Sequence, residues 1–175
     1  MTNLLGIFCV LLLGVLSFFS FYQWGHAILA ILHRSGAPDH SKTRTTRFLI
    51  LIPAHNEEDG LQEALHSLLS VQYPRDLVKI VVIADRCADD TAKVARLGGA
   101  RCLERNDGPG GKGAAMSWAM QELRKEGVLF DALVIVDADC LADLHLLEAF
   151  DDALAKGHEV QQGYNYLSNP WETPF

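Results

Sequence analysis

The chain has 175 residues, of which 49% are hydrophobic and 21% are charged, a balance that suits one folded domain and excludes a disordered chain. Its formal net charge of -7 provides no basic surface of the kind that binds nucleic acid, so we expect no nucleic-acid partner. The cysteines are scattered and none forms a C-x-x-C pair, which indicates neither a zinc site nor a redox motif.

The N-terminal segment, residues 1–33, has no charged side chain and is long enough to cross a bilayer as a helix. A cleaved signal peptide needs a basic start and a shorter apolar core, and this segment has neither. We therefore predict a retained transmembrane anchor over residues 1–33. The basic residues Arg34, Lys42, Arg44 and Arg47 follow it. By the positive-inside rule, they predict a single-pass protein of the cell (inner) membrane whose remainder is cytoplasmic.

Residues 34–47 are polar, contain Gly and Pro and lack periodicity, so we predict a linker there. From residue 48 onward, short apolar runs alternate with segments of helical spacing. The predicted strands cover 48–53, 78–85, 100–105, 131–137 and 158–166. The predicted helices cover 58–72, 89–99, 112–127 and 142–157. This alternation is typical of an α/β domain with a mostly parallel sheet, which binds ligands beyond the C-terminal ends of its strands.

Polar residues follow the first two predicted strands. Asn56 is expected to be the N-cap of the first helix of the domain. Asp85 ends the second strand, where its carboxylate can accept a hydrogen bond from a base N–H or a ribose hydroxyl. Its place at a strand end predicts that the fold tolerates its removal. Asp89 or Asp90 is expected to cap the helix that begins at Thr91.

The segment GPGGKG, residues 108–113, lies between the third strand and the next helix. It formally fits G-x-G-x-x-G, but that dinucleotide motif belongs after the first strand of a fold. A Walker A loop is excluded because Gly113 stands where Ser or Thr should follow the lysine. Lys112 begins a helix, where backbone amides and an ammonium group can meet a phosphate. The simpler alternative is a mobile loop with a solvated lysine.

Two carboxylates, Asp137 and Asp139, follow the fourth apolar run one residue apart. Residues two apart on an extended backbone share a face, so the pair is expected to share a proton or to bind a cation. A hard ion such as Mg²⁺ or Mn²⁺ takes oxygen ligands and completes its shell with substrate phosphates. The alternative, that an aspartate only caps the next helix, fits Asp143 better than the pair.

The segments LIPAHNEE, VVIADRCADDTA, ERNDGPGGKGAAM and VIVDADCLAD occur in this order between residues 51 and 143. Together they resemble the donor-binding half of a family 2 glycosyltransferase, and the resemblance extends over residues 48 to about 166. It implies a Rossmann-like α/β fold of the GT-A type, that of nucleotide-diphospho-sugar transferases. The fold would occupy residues 48–175 and be incomplete at the C-terminus.

The resemblance also implies roles for individual residues. The residues it assigns to the donor are Pro53, Ala54, Glu57, Asp85, Lys112, Gly113 and Asp137. Asp139, together with Asp137, would bind the metal ion, Mn²⁺ or Mg²⁺, whose charge offsets that of the carboxylates.

The implied activity is the metal-dependent, inverting transfer of a sugar from a nucleotide-diphospho-sugar, above all a UDP-sugar. The acceptor, a polysaccharide, a lipid or another glycan, is unknown. The general base, which the family supplies downstream of the D-x-D pair, is not recognisable, so we expect an N-terminal part of a longer enzyme or a truncated homologue. Three alternatives stay open: a nucleotidyltransferase, an NAD-dependent oxidoreductase that uses the GPGGKG loop, and a membrane-anchored binding module without activity.

Overall fold

The structure is a computed structural model that describes residues 2–32 and 43–166. The chain divides into two compact units, Met1–Ala37 and Pro38–Phe175. The predictions that concern residues 33–42, including Arg34 and Lys42, and those that concern residues 167–175 lie outside the described residues.

The first unit contains one long helix, α1, over Thr2–Leu32, as the sequence predicts. Its stretch Gly6–Leu29, 24 residues with a mean hydropathy of 1.9, is long and apolar enough to span a membrane. At 1.5 Å per residue this stretch measures about 36 Å, which exceeds the hydrocarbon thickness of a bilayer, about 30 Å. The side chains along this stretch are not buried.

The described part of the second unit alternates strands and helices. The strands are β1 (Phe48–Ala54), β2 (Val78–Asp85), β3 (Arg101–Arg105) and β4 (Ala132–Ile135). The helices are α2 (Glu58–Ser70), α3 (Thr91–Leu97), α4 (Lys112–Lys125) and α5 (Leu146–Ala155). A 3₁₀ turn, Arg75–Leu77, precedes β2. The first four predicted strands and all four predicted helices are therefore confirmed, with ends that differ by a few residues.

The four strands form one parallel sheet in the order β3-β2-β1-β4. β1 is central, and its side chains alternate between the two faces. Phe48, Ile50 and Ile52 pack with α2, α3 and α5 on one face, whereas Leu49 and Leu51 pack with α4 on the other. All five are at most 1% exposed, and burying each side chain contributes about 1.5–3 kcal/mol. The domain therefore has three layers, with one sheet between two layers of helices.

The fifth predicted strand, residues 158–166, is wrong, because the structure shows no strand there. The chain leaves α5 through Gly157, whose φ of 88° favours glycine. Gln161 then donates hydrogen bonds to the carbonyl groups of Phe150 and His158, at 3.1 and 3.0 Å. Val160 is 94% exposed. The segment is therefore held to α5 by a side chain and not to the sheet by a backbone ladder.

The predicted linker, residues 34–47, is wrong over its last residues. The Arg44 side chain is only 6% exposed and donates hydrogen bonds to Asp151 at 3.0 Å and Asp152 at 2.6 Å, both on α5. Arg47 donates to Asp131 just before β4, and these hydrogen bonds hold the pKa of Asp131 well below its usual range. Arg44 and Arg47 therefore pack against the domain, because their charges are paired with acids of the domain.

Candidate functional site

The parallel strands all end at one edge of the sheet, and the predicted ligand-binding segments follow at that edge. Pro53 and Ala54 are the last two residues of β1, and Asp85 and Arg105 are the last residues of β2 and β3. Asp137 comes two residues after the end of β4. Open α/β sheets bind ligands in the crevice outside these strand ends. The topology thus gathers the predicted residues at the expected edge.

Two residues predicted separately, Lys112 and Asp137, are in contact. Lys112 is the first residue of α4, and its ammonium group donates a hydrogen bond to the Asp137 carboxylate. Both side chains are about half exposed. The ion pair connects the glycine-rich loop to the acids after β4. It also places a cation and the backbone amides of a helix start beside a carboxylate, so an anion and a metal ion can meet here.

Asp139 lies in a turn and not on an extended strand. β4 ends at Ile135, and the Cys140 N–H donates to the carbonyl oxygen of Asp137 at 3.1 Å, which closes the turn. The inference that Asp137 and Asp139 share one face of a strand is therefore wrong. Both carboxylates are nevertheless exposed at the same edge. Burial, with a contribution from both carboxylates, raises the pKa of the Cys140 thiol in this turn.

The donor set at this edge fits a hard divalent ion that depends on its substrate for ligands. Among the described residues, no group of three or more His, Cys, Asp or Glu side chains is arranged to hold a metal ion. Asp137 and Asp139 alone cannot form a closed metal cage. Two carboxylates do suit Mg²⁺ or Mn²⁺, which take the remaining oxygen ligands from water and substrate phosphates.

Asp85 is buried in a network of arginines that the sequence interpretation missed. Its Oδ1 accepts a hydrogen bond from Arg105 at 2.7 Å, and its Oδ2 accepts one from Arg86 at 3.2 Å. Asp85 is 6% exposed and Arg105 is 5% exposed. Arg105 also donates to the carbonyl oxygen of Pro109 in the glycine-rich loop, at 2.5 Å. The carboxylate is therefore an acceptor already oriented by two guanidinium groups.

The contact between Asp85 and Arg105 could have been predicted from the sequence. Asp85 and Arg105 are register partners at the ends of neighbouring parallel strands. An acid that ends one strand and a base that ends the next are expected to meet if the two strands pair in this register. Arg86 gave no such signal, because its position depends on a left-handed backbone with a φ of 52°.

The loops after β1 and β2 are tied together, and the predicted cap at Asn56 is wrong. Asn56 has a φ of 56°, and its side-chain oxygen accepts from the Ala88 N–H at 2.7 Å. Asp89 accepts from the Glu58 N–H at 3.2 Å, and Glu58 in return accepts from the Asp90 N–H at 2.8 Å. A carboxylate from each loop thus accepts a hydrogen bond from a backbone N–H of the other loop, and these bonds fix the distance between the two loops.

The predicted helix caps are only partly confirmed. Asp89 accepts from the Thr91 N–H at 3.1 Å, and its hydrogen bond with the Thr91 hydroxyl lowers the pKa of this carboxyl. Asp90 occupies the cap position but makes no side-chain cap bond. Asp143 accepts from the His145 N–H at 2.8 Å, whereas His145 is the N-cap of α5. Asp143 therefore orders the turn before that helix and does not cap it.

The remaining predicted donor residues lie beside these loops. Glu57 is the N-cap residue of α2, and its backbone N–H donates to the Thr91 hydroxyl at 2.9 Å. Gly113 is the second residue of α4, and a Cβ added there would meet no atom within 4 Å. Protein packing does not require a glycine at this position, and the space beside it is open to a ligand.

Comparison with known proteins identifies the family. Residues 46–172 match the family described as glycosyltransferase like family 2. The chain belongs to this family. It is also similar to the 4,4'-diaponeurosporenoate glycosyltransferases of Staphylococcus aureus. The protein of strain N315 is 36% identical over 106 residues, which are 56% of this chain and 26% of the relative. For strain USA300 the identity is 37% over 93 residues, 51% of this chain and 23% of the relative. The chain thus spans about a quarter of these relatives' length.

Solved structures share the fold. The mannosyltransferase PcManGT from Pyrobaculum calidifontis, in complex with GDP-Man and Mn²⁺, aligns with a TM-score of 0.57 at 23% sequence identity. The alignment covers 77% of this chain and 38% of the PcManGT chain. S. aureus TarS 1-349 in complex with UDP-GlcNAc aligns with a TM-score of 0.55 at 21% sequence identity. This alignment covers 64% of this chain and 32% of the TarS chain. The parallel α/β sheet of this family 2 chain therefore has the GT-A fold. The family match does not favour the NAD-dependent and nucleotidyltransferase alternatives.

Proposed function

We propose that this family 2 chain is the donor-binding part of a membrane-anchored glycosyltransferase that binds a nucleotide-diphospho-sugar together with Mn²⁺ or Mg²⁺. The contact between Lys112 and Asp137 supports this proposal most directly. It joins the lysine proposed to bind phosphate to a carboxylate proposed to bind metal, at the sheet edge where α/β proteins bind ligands. PcManGT and TarS have been solved with nucleotide-sugars, a class of ligand that fits the charges of this edge.

Each residue has a defined task in this proposal. Lys112 and the first amides of α4 hold the diphosphate, and open space beside Gly113 lets the phosphates approach the helix. Asp85 accepts a hydrogen bond from the base, for which uracil is the proposed partner. Pro53, Ala54 and Glu57 form the wall of the nucleoside site on the β1 side. The UDP-sugar is thus held with its diphosphate at α4 and its base at the end of β2.

Asp137 and Asp139 would hold the divalent ion. When bound, the ion supplies positive charge that stabilises the departing nucleoside diphosphate. Lys112 supplies further charge to the same leaving group. Attack of an acceptor hydroxyl on the opposite side of the anomeric carbon inverts its configuration. The base that deprotonates this hydroxyl is not among the residues assigned here, and the acceptor is a polysaccharide, lipid or other glycan.

We further propose that α1 anchors the protein in the cell membrane and that the GT-A domain is cytoplasmic. The 24-residue apolar stretch of α1 is the physical basis for the anchor. Nucleotide-sugars are made in the cytoplasm, so this topology would give the domain access to its donor.

Nucleotide binding by the full chain in detergent micelles tests the function. We expect calorimetry to detect binding of UDP in the presence of Mn²⁺, weaker binding in EDTA, and no binding of NAD. Little sugar transfer is expected from this chain alone, because no base for the acceptor is assigned. Binding of NAD in preference to UDP would contradict the proposal.

A further inference from the structure

Arg86 has an unusual backbone conformation beside the proposed donor site. Its φ of 52° lies in the left-handed region, which costs conformational energy for a long side chain and favours Gly or Asn. The conformation is held by the backbone, because the Arg86 N–H donates to the Arg105 carbonyl oxygen at 2.7 Å. Strained residues of this kind concentrate at ligand-binding sites.

This backbone conformation directs the guanidinium group over the glycine-rich loop. A Cβ added to Gly110 would lie 2.8 Å from Arg86 Nη2 and 3.0 Å from Nη1. Real Cβ atoms do not approach other atoms so closely, so an alanine at position 110 would make the end of the Arg86 side chain shift away from the loop. The Arg86 side chain is nevertheless 39% exposed. The guanidinium therefore lies between Asp85 and the loop, with one side accessible to a ligand.

The charge of Asp85 does not require Arg86. Arg105 is buried and donates to Asp85 at 2.7 Å, a closer contact than the 3.2 Å from Arg86. One buried arginine is enough to neutralise one buried carboxylate. A guanidinium has five N–H donors, and only one hydrogen bond from the Arg86 side chain is made within residues 43–166. Arg86 thus brings a second positive charge and spare donors to the nucleoside end of the site.

We propose that Arg86 is a base-recognition residue that acts together with Asp85. Asp85 Oδ2 and Arg86 Nη2 place an acceptor and a donor 3.2 Å apart. An imide edge, such as N3–H and the adjacent carbonyl of uracil, presents the complementary donor and acceptor. Asp85 accepts from the ring N–H, and Arg86 donates to the carbonyl oxygen beside it. This inference rests on the proposed function and adds Arg86 as a second residue that selects the base of the donor.

The same geometry disfavours cytosine. Its N3 is an acceptor and would face the Asp85 carboxylate, and an amino group replaces O4, one of the two carbonyl oxygens that flank N3 in uracil. With the diphosphate held at Lys112, the base cannot shift freely to exchange these partners. Arg86 and Asp85 should therefore both favour UDP over CDP.

The test uses the full chain in detergent and four probes with Mn²⁺: UDP, CDP, uridine and pyrophosphate. Arg86→Asn suits the left-handed backbone but is too short to reach the base. We expect it to weaken UDP and uridine binding by the same factor, roughly 10- to 100-fold, the value of one hydrogen bond to a charged group. Pyrophosphate binding should not change, and the preference for UDP over CDP should fall. Calorimetry measures UDP, CDP and pyrophosphate, and ligand-observed NMR measures uridine.

Two further variants control this experiment. Gly110→Ala displaces the guanidinium without removing its charge, so it should reproduce the selective loss of uridine and UDP. Arg96→Asn removes another exposed arginine, which pairs with Glu104, and should leave all four affinities unchanged.

Three outcomes would overturn the proposal. Weaker UDP and pyrophosphate binding with unchanged uridine binding would assign Arg86 to the diphosphate. Unchanged affinities in Arg86→Asn would show that the residue does not contact the nucleotide. Failure of the parent chain to bind UDP with Mn²⁺ would remove the proposed function itself, and the parent titration identifies that case before any variant is compared.

Discussion

Replacing Asp85 by alanine should unfold the domain at a markedly lower temperature. The change leaves the guanidinium of Arg105, which is 5% exposed, without the carboxylate that it contacts at 2.7 Å. Removing one partner of a buried ion pair costs about 3–5 kcal/mol, because the other charge stays buried. At roughly 4 °C per kcal/mol for a domain of this size, the melting temperature should fall by roughly 10–20 °C. The buried ion pair therefore predicts the opposite of the sequence-based expectation that the fold tolerates this substitution.

Thermal unfolding of the full chain in detergent, followed by circular dichroism at 222 nm (a signal to which α1 also contributes), measures this effect. Asp90→Ala is the matched control, because Asp90 pairs with Lys93 at the surface with both side chains more than 60% exposed. Such a pair contributes about 0–1 kcal/mol. The variant Asp85→Ala/Arg105→Met should recover much of the lost stability, since replacing both partners by apolar groups can be nearly neutral. If Asp85→Ala unfolds at the same temperature as the parent, the argument that the buried pair of Asp85 and Arg105 stabilises the fold is refuted.

Two other predictions concern the anchor and the segment before β1. In right-side-out vesicles, residues beyond 50 should resist external protease, and their digestion from outside would contradict the cytoplasmic topology. Burial raises the pKa of Tyr73 to about 12, and its hydroxyl donates to the Thr46 carbonyl oxygen at 3.1 Å. A raised pKa means that this contribution to stability is complete below the unfolded value, about 10, and is lost as pH rises through 12. Tyr73→Phe should therefore lose less stability than the parent between pH 10 and 12, and identical pH profiles would exclude this linkage.

The sheet and its helices were predictable because their signals are local. Leu61, Leu65 and Leu68 recur at helical spacing and all face the core, and the apolar run of β1 is buried on both sides. Register and crossover geometry then bring the strand ends together without further information. The position of the site therefore follows from the pattern of the sequence alone.

The sequence predictions were wrong where a side chain has a partner that is distant in sequence, or where a strand ends earlier than its apolar run. Asn56 has the local pattern of a helix cap, but its oxygen bonds Ala88 across the neighbouring loop. Arg44 resembles a linker residue, yet its partners lie more than 100 positions away on α5. Asp139 was expected to lie beside Asp137 on an extended backbone because apolar residues run to Val136, whereas the ladder ends at Ile135 and a turn follows. Long-range polar contacts leave no periodic signal in one sequence.

The charges at the sheet edge indicate that metal and nucleotide should bind cooperatively. Asp85 is paired with arginines and Asp137 with Lys112, whereas Asp139 contacts no cationic side chain among residues 43–166. A diphosphate alone would be repelled by Asp139, and a metal ion alone would gain few ligands. Bound together, the ion offsets both Asp139 and the diphosphate, so each should strengthen the binding of the other.

The size of this coupling, and its dependence on Asp139, can be measured. In the parent chain, Mn²⁺ should strengthen UDP binding by about 5- to 150-fold relative to EDTA, the usual range for coupled ligands. Asp139→Asn keeps the shape of the side chain but removes its charge. In this variant, Mn²⁺ should therefore strengthen UDP binding by a smaller factor than in the parent. Asp143→Asn, in the turn before α5, should retain the parent's coupling, since the Asp143 carboxylate accepts its hydrogen bond from the His145 N–H in that turn. Equal UDP affinity with Mn²⁺ and with EDTA in the parent chain would show that these carboxylates do not hold a metal with the nucleotide.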